Sequence, residues 1–187
     1  MGKLVAKLCA DGLKKVTLEL GGNCPFIIFD DANLDQALEA LFALKWRHAG
    51  QACITANRVF VQSGVYDKFA SMLVERTKGI KLGHGAEKDT TMGPVTMARA
   101  LDKADQQVAD AKEHGGKIVL GGERLNRDGY FFKPTVITGA NNKMLISSEE
   151  TFAPVMALFS FETEEEVVKE ANNTSVSGLG LRRKCTN

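Results

Sequence analysis

Pro25-Phe26-Ile27-Ile28-Phe29-Asp30-Asp31-Ala32-Asn33-Leu34 is the stretch whose reading decides the fold. Its apolar run, closed by an acidic pair, reads as a short strand buried on both faces. Asp30, Asp31 and Asn33 then offer side-chain oxygens that cap a helix. Leu34, Ala37, Leu38, Leu41, Phe42 and Leu44 recur at helical spacing, and this amphipathic helix is expected to run through Trp46 to Gly50. Arg58-Val59-Phe60-Val61-Gln62 supplies the next strand, so the chain reads here as strand, helix, strand.

Outward from this unit the alternation continues. Upstream, Leu4, Val5 and Leu8 lie at helical spacing over residues 3–11, and Gly12 ends that run. Lys15-Val16-Thr17-Leu18-Glu19-Leu20 alternates and predicts a strand that stops at the Gly21-Gly22-Asn23 turn. Downstream, residues 65–80 and 96–114 read as helices separated by a glycine-containing loop over 81–94. Lys117-Ile118-Val119-Leu120 predicts a strand, while Tyr130-Phe131-Phe132 and Thr135-Val136-Ile137 flank Pro134 as edge strands. Residues 155–161 form a further apolar strand, and Thr163 with Glu166 makes a capping box for a helix over 163–172. Strands alternating with helices of this length predict an α/β fold, a mostly parallel sheet flanked by helices. The tail after Thr174 has neither period, and a frayed end is expected there.

The chain has 187 residues, 44% hydrophobic and 25% charged, enough for one sizeable core. A net charge of +1 gives no basic field, so no nucleic-acid partner is expected. His48, His84 and His114 are scattered away from other ligand types, and no metal site is expected. Cys9, Cys24, Cys53 and Cys185 include no CxxC pair and read as reduced thiols of a cytoplasmic or mitochondrial-matrix protein. No apolar run approaches the ~20 residues that span a bilayer, so no membrane partner is expected. The amino terminus lacks a signal-peptide core and looks like a helix entered partway, so the chain reads as part of something longer.

Cys53 closes Gly50-Gln51-Ala52-Cys53, directly after a turn glycine, where a side chain held by a rigid element can face a cleft. Its alternative reading is the small buried hydrophobe that most free cysteines are. Glu19 alone reads as a solvated strand-end charge and Arg47 as a cation at a helix carboxyl end. Glu150 alone is a surface charge, and Phe152 a packed core ring.

Read together, Leu18-Glu19-Leu20-Gly21-Gly22-Asn23, Gly50-Gln51-Ala52-Cys53 and Glu149-Glu150-Thr151-Phe152-Ala153-Pro154-Val155 resemble the aldehyde dehydrogenase superfamily in order and separation, over about residues 2–173. Arg47 makes the chain most similar to the succinate-semialdehyde dehydrogenase branch, where an arginine so placed contacts the substrate's distal carboxylate. A planar guanidinium fork suits that contact. The resemblance implies NAD or NADP as cofactor, a small-molecule aldehyde as substrate and a homo-oligomeric full-length protein. The implied reaction is oxidation of succinic semialdehyde to succinate, as in GABA catabolism. In it, Cys53 forms a thiohemiacetal and then a thioester, its own backbone N–H is one oxyanion donor, and Glu19 is the general base on the hydrolytic water. The resemblance also implies that Glu150 hydrogen-bonds the nicotinamide ribose, that Phe152 lies beside the ring, and that Leu20 and Gly21 belong to the cofactor site.

The chain departs from the family pattern in several places. The pattern's amino-terminal part, with most of the dinucleotide-binding domain and an asparagine oxyanion donor, has no counterpart, and no GxGxxG occurs. Its carboxy-terminal part, with a substrate-binding serine and an oligomer-pairing strand, is also without a counterpart. Ala153 stands where the family usually has glycine, and its methyl group is expected to disturb a backbone position needing positive φ. Thr55 stands where some members carry a second cysteine, so their redox-switch disulfide is expected to be absent. The expectation is a partial catalytic domain over 1–173, incomplete at both ends, with a divergent and disordered tail over 174–187. Two alternatives stay open: a catalytically inactive fragment or interaction module, and a branch acting on betaine or aliphatic aldehydes.

Overall fold

The computed structural model describes residues 1–174 and the backbone of a strand at Leu181–Arg183. The deciding stretch folds as its pattern predicts. Strand β1 (Cys24–Ile28) is buried apart from half-buried Pro25. Asn33 Oδ1 accepts the Gln36 N–H at 3.1 Å and starts helix α2 (Leu34–Trp46), the first helix, α1, being Gly2–Ala10. The chain returns as β2 (Ala56–Gln62), parallel to β1 and buried from Ala56 to Val61. Then follow α3 (Tyr66–Lys78), α4 (Ala98–Glu113), β3 (Lys117–Leu120), β4 (Thr135–Ala140), α5 (Leu145–Ser148), β5 (Val155–Phe161), α6 (Glu164–Asn172) and β6 (Leu181–Arg183).

The strands make one six-stranded sheet in the order β3-β4-β5-β2-β1-β6. Every neighbouring pair is parallel except β3 with β4. This is the expected α/β class. The core lies on both faces of the central strands, where Val59, Val61, Val155 and Leu158 are fully buried. Each such side chain contributes roughly 1.5–3 kcal/mol by leaving water.

Several expectations are corrected. Residues 15–20 alternate, yet they form no strand; alternation specifies two faces, and sheet membership also needs a neighbour with free backbone groups. Tyr130–Phe132 contributes only an isolated bridge between Arg124 and Phe132. β4 is no edge strand, because Pro134 stands just before its first residue and its missing N–H removes no ladder bond. α2 stops at Trp46 rather than Gly50. Leu181–Arg183, expected to fray, pairs in parallel with Phe26–Ile28. Residues 175–180 and 184–187 of the expected tail lie outside the described residues. Ala153 is buried and is not among the positive-φ residues, so its methyl group packs in the core without the strain expected of it.

The topology explains how distant segments meet. β5, β2 and β1 are adjacent and parallel, with Cys24 beside Ala56 and Arg58 beside Ala157. Their amino ends therefore lie together. The segments entering those ends carry Glu19 to Asn23, Gly50 to Thr55, and Glu149 to Pro154. Ligands of doubly wound sheets commonly sit beyond the carboxyl ends of the strands. Here the motifs gather at the opposite end.

Candidate active site

The segment between α2 and β2 leaves the helix through a left-handed turn. His48 (φ 49°, ψ 33°), Ala49 (φ 54°, ψ 39°) and Gly50 (φ 75°) follow one another in that region. For the two non-glycine residues this conformation costs on the order of 1–2 kcal/mol each, and the surroundings must hold it. Gln51 does so from both of its ends. Its backbone N–H and its Nε2 donate to the His48 carbonyl at 3.1 and 2.8 Å. Its Oε1 accepts from the backbone N–H and the hydroxyl of Thr96 at 2.9 and 3.1 Å. Gly50 meets the third motif directly, since a Cβ there would lie 2.3 Å from the Ala153 carbonyl oxygen.

After this turn, Thr55 N–H donates to Ala52 O at 3.0 Å and closes a tight turn that carries Cys53. The Cys53 side chain is exposed, whereas Cys24 beneath it is buried and donates from Sγ to the Cys53 carbonyl at 3.4 Å. A run of polar contacts links the three segments that carry the motifs. Fully buried Lys45 donates to Asn57 Oδ1 at 3.1 Å, and Asn57 Nδ2 donates to Gly22 O at 3.4 Å. Gly22 N–H in turn donates to Glu150 Oε1 at 3.1 Å. Burial pushes the Lys45 ammonium down to about 7.

Glu19, Leu20, Gly21, Arg47, Cys53, Glu150 and Phe152, the residues singled out from sequence, all line one cleft of about 1230 Å³. Phe152 is 44% exposed, which excludes the core-packing alternative, and with Leu20 and Ile54 it gives the cleft an apolar wall. Sequence reasoning missed His48 and Gln51, although both stood inside the motif. It also missed Arg99 and Lys103, which line the cleft one helical turn apart on α4. Their i, i+4 spacing was the available signal. Lys103 is ion-paired with Glu149.

Whether a nicotinamide dinucleotide suits these residues can be asked of Glu150 and Gly21. A Cβ on Gly21 would lie 2.4 Å from Glu150 Oε2, so glycine is what lets the carboxylate lie against this backbone. Glu150 is thereby fixed through one oxygen, while its carboxylate keeps further acceptor capacity. A fixed acceptor beside an exposed aromatic ring fits a sugar hydroxyl next to a flat heterocycle. Among the described residues no group of three or more His, Cys, Asp or Glu could hold a metal ion, and no helix is long and apolar enough to cross a membrane.

An exposed cysteine in a turn at the amino ends of a parallel sheet thus shares one cleft with a carboxylate, an arginine and a fixed acceptor. The aldehyde dehydrogenase family matches residues 1–180, and the chain belongs to that family. It is 49% identical over 181 residues to succinate-semialdehyde dehydrogenase [NADP(+)] 1 of Schizosaccharomyces pombe, covering 96% of this chain and 36% of that protein. It is 46% identical to 3-sulfolactaldehyde dehydrogenase of Pseudomonas putida, covering 93% and 36% of the two. The crystal structure of succinate-semialdehyde dehydrogenase from Burkholderia pseudomallei superposes with a TM-score of 0.96 at 42% identity, over 99% of this chain and 38% of that one. The chain thus spans little more than a third of the length of the relatives it matches.

Proposed function

We propose that this cleft oxidises an aldehyde to a carboxylate with NAD or NADP, and that its substrate is succinic semialdehyde. The observation that carries the reading is the convergence of Cys53, Glu19, Arg47, Glu150 and Phe152, drawn from separate segments, on one cleft. The S. pombe relative named for this substrate and for NADP supports it.

Cys53 attacks the aldehyde carbon as thiolate and forms a thiohemiacetal. The negative charge that develops on the aldehyde oxygen needs donors already in place, and the Cys53 backbone N–H is one of them. The chemistry that a bound nicotinamide supplies is acceptance of a hydride. Glu150 and Phe152 would hold it, the first by accepting from a ribose hydroxyl and the second as an apolar ring, with Leu20 and Gly21 lining the same site. Cys53 retains the acyl group as a thioester, and Glu19 takes the proton of the water that hydrolyses it. Arg47 receives the carboxylate at the far end of the substrate through its guanidinium fork.

The substrate assignment is tested on the 187-residue chain by the rate at which iodoacetamide modifies Cys53 in the presence of aldehyde. Succinic semialdehyde protects Cys53 at lower concentration than butanal does. Arg47→Ala weakens protection by the semialdehyde about tenfold or more and leaves butanal unchanged, the scale of a lost charge-assisted hydrogen bond. Equal loss for both aldehydes removes the carboxylate assignment and favours an uncharged substrate.

A further inference from the structure

We propose that the His48 imidazole positions the Arg47 guanidinium to receive the substrate's distal carboxylate. The proposal rests on the reading of Arg47 given above and adds to it a residue that sets specificity. Arg47 Nε lies 3.2 Å from His48 Nε2. Among the described residues this is the one hydrogen bond that the Arg47 side chain makes, and it forms no ion pair. Both side chains are exposed, and both line the cleft that holds Cys53.

The chemistry of the pair fixes its protons. A guanidinium has no acceptor and does not lose its hydrogen in a folded protein, so Arg47 donates and His48 accepts. Nε2 of His48 therefore carries the lone pair, and the ring hydrogen sits on Nδ1. Because the bond engages Nε of Arg47, the two terminal nitrogens are left to meet a carboxylate end-on.

The backbone that carries the ring is itself held. His48 occupies a left-handed backbone conformation, and its carbonyl takes both Gln51 hydrogen bonds described above. Gln51 is anchored in turn to Thr96. An exposed arginine on its own samples many rotamers, and ordering it on binding weakens affinity. A neighbour fixed by the backbone removes part of that penalty before the substrate arrives. An exposed hydrogen bond of this kind contributes little to folding, so its loss acts on carboxylate recognition and not on stability.

The test has a spectroscopic arm and a binding arm, both on the 187-residue chain. Long-range 15N–1H correlation spectra are expected to show His48 as the Nδ1–H tautomer, and Arg47→Ala to return it toward the Nε2–H form. His48→Gly removes the ring without strain, because glycine adopts the left-handed region freely. It weakens binding of succinate about fivefold, on the scale of one hydrogen bond. His48→Gln, whose amide oxygen accepts the same bond, restores most of that loss, and the urea midpoint of neither variant falls below that of the parent chain. An Nε2–H tautomer in the parent chain overturns the proposal. So does a His48→Gly variant that binds succinate normally while Arg47→Ala does not, an outcome that leaves the Arg47 reading standing. Succinate binding that is absent, or indifferent to Arg47→Ala, removes the Arg47 reading and this proposal with it.

Discussion

Gly50 carries two constraints at once, a positive φ and a carbonyl oxygen 2.3 Å from where a Cβ would stand. Gly50→Ala therefore strains the turn and pushes it off the Ala153 backbone. A loss of about 2 kcal/mol or more is expected in urea unfolding, together with slower alkylation of Cys53. An unchanged midpoint would show that the two motifs are not locked as described. Lys45 makes a second prediction, this time against pH. Burial lowers it from 10.5 to about 7, so between those values the unfolded chain holds a proton that the folded chain has shed. Stability then rises with pH across that window, by up to about 1.4 kcal/mol per unit from this group. Below pH about 7 both states hold the proton, the cost of burying the charge is fully present, and the slope vanishes. Lys45→Met is expected to remove this rise, which is read as the difference between the two urea profiles from pH 7 to about 10. Of the residues that line the cleft, Cys53 and Glu150 could be picked out beforehand because their motifs fix residue type and spacing. His48 could not, because it reaches the cleft from a left-handed backbone that no local pattern announces.

At the scale of elements, β1 with α2 was readable from an apolar run followed by a cap, and the Asn33 bond bears that out. The same holds at the other end for α6, where Thr163 Oγ1 accepts the Glu166 N–H at 3.3 Å. The two missed strands have one physical source. Residues 15–20 and 130–132 have strand-like composition, but pairing is decided by what lies alongside. Arg58 shows the same limit in a polar residue. In a strand otherwise read for its apolar side chains it is 2% exposed, and its guanidinium donates twice to Asn23 O and once each to the carbonyls of Glu170 and Ala171. It thus ties β2 to the segment before β1 and to the last turn of α6, where a cation also suits the helix dipole. Arg58→Met leaves those carbonyls without their donor, and a loss of about 2–4 kcal/mol is expected in denaturant unfolding. A neutral result would mean that water replaces the guanidinium at no cost.

For the whole molecule, the fold class followed from the alternation of strands and helices, but the strand order did not. That order is what makes the site, because β5, β2 and β1 are neighbours although β5 is distant from them in sequence. α1 lies at the other extreme, a nine-residue helix with no buried residue. In the proposed function, this arrangement presents Cys53 as a nucleophile. The direct measurement is the rate of iodoacetamide labelling at each cysteine of the 187-residue chain, resolved by peptide mass spectrometry, with and without succinic semialdehyde. Cys53 is expected to be labelled ahead of half-buried Cys9 and buried Cys24, and the aldehyde to slow Cys53 alone. Labelling of Cys9 or Cys24 first, or a Cys53 rate indifferent to the aldehyde, would contradict that.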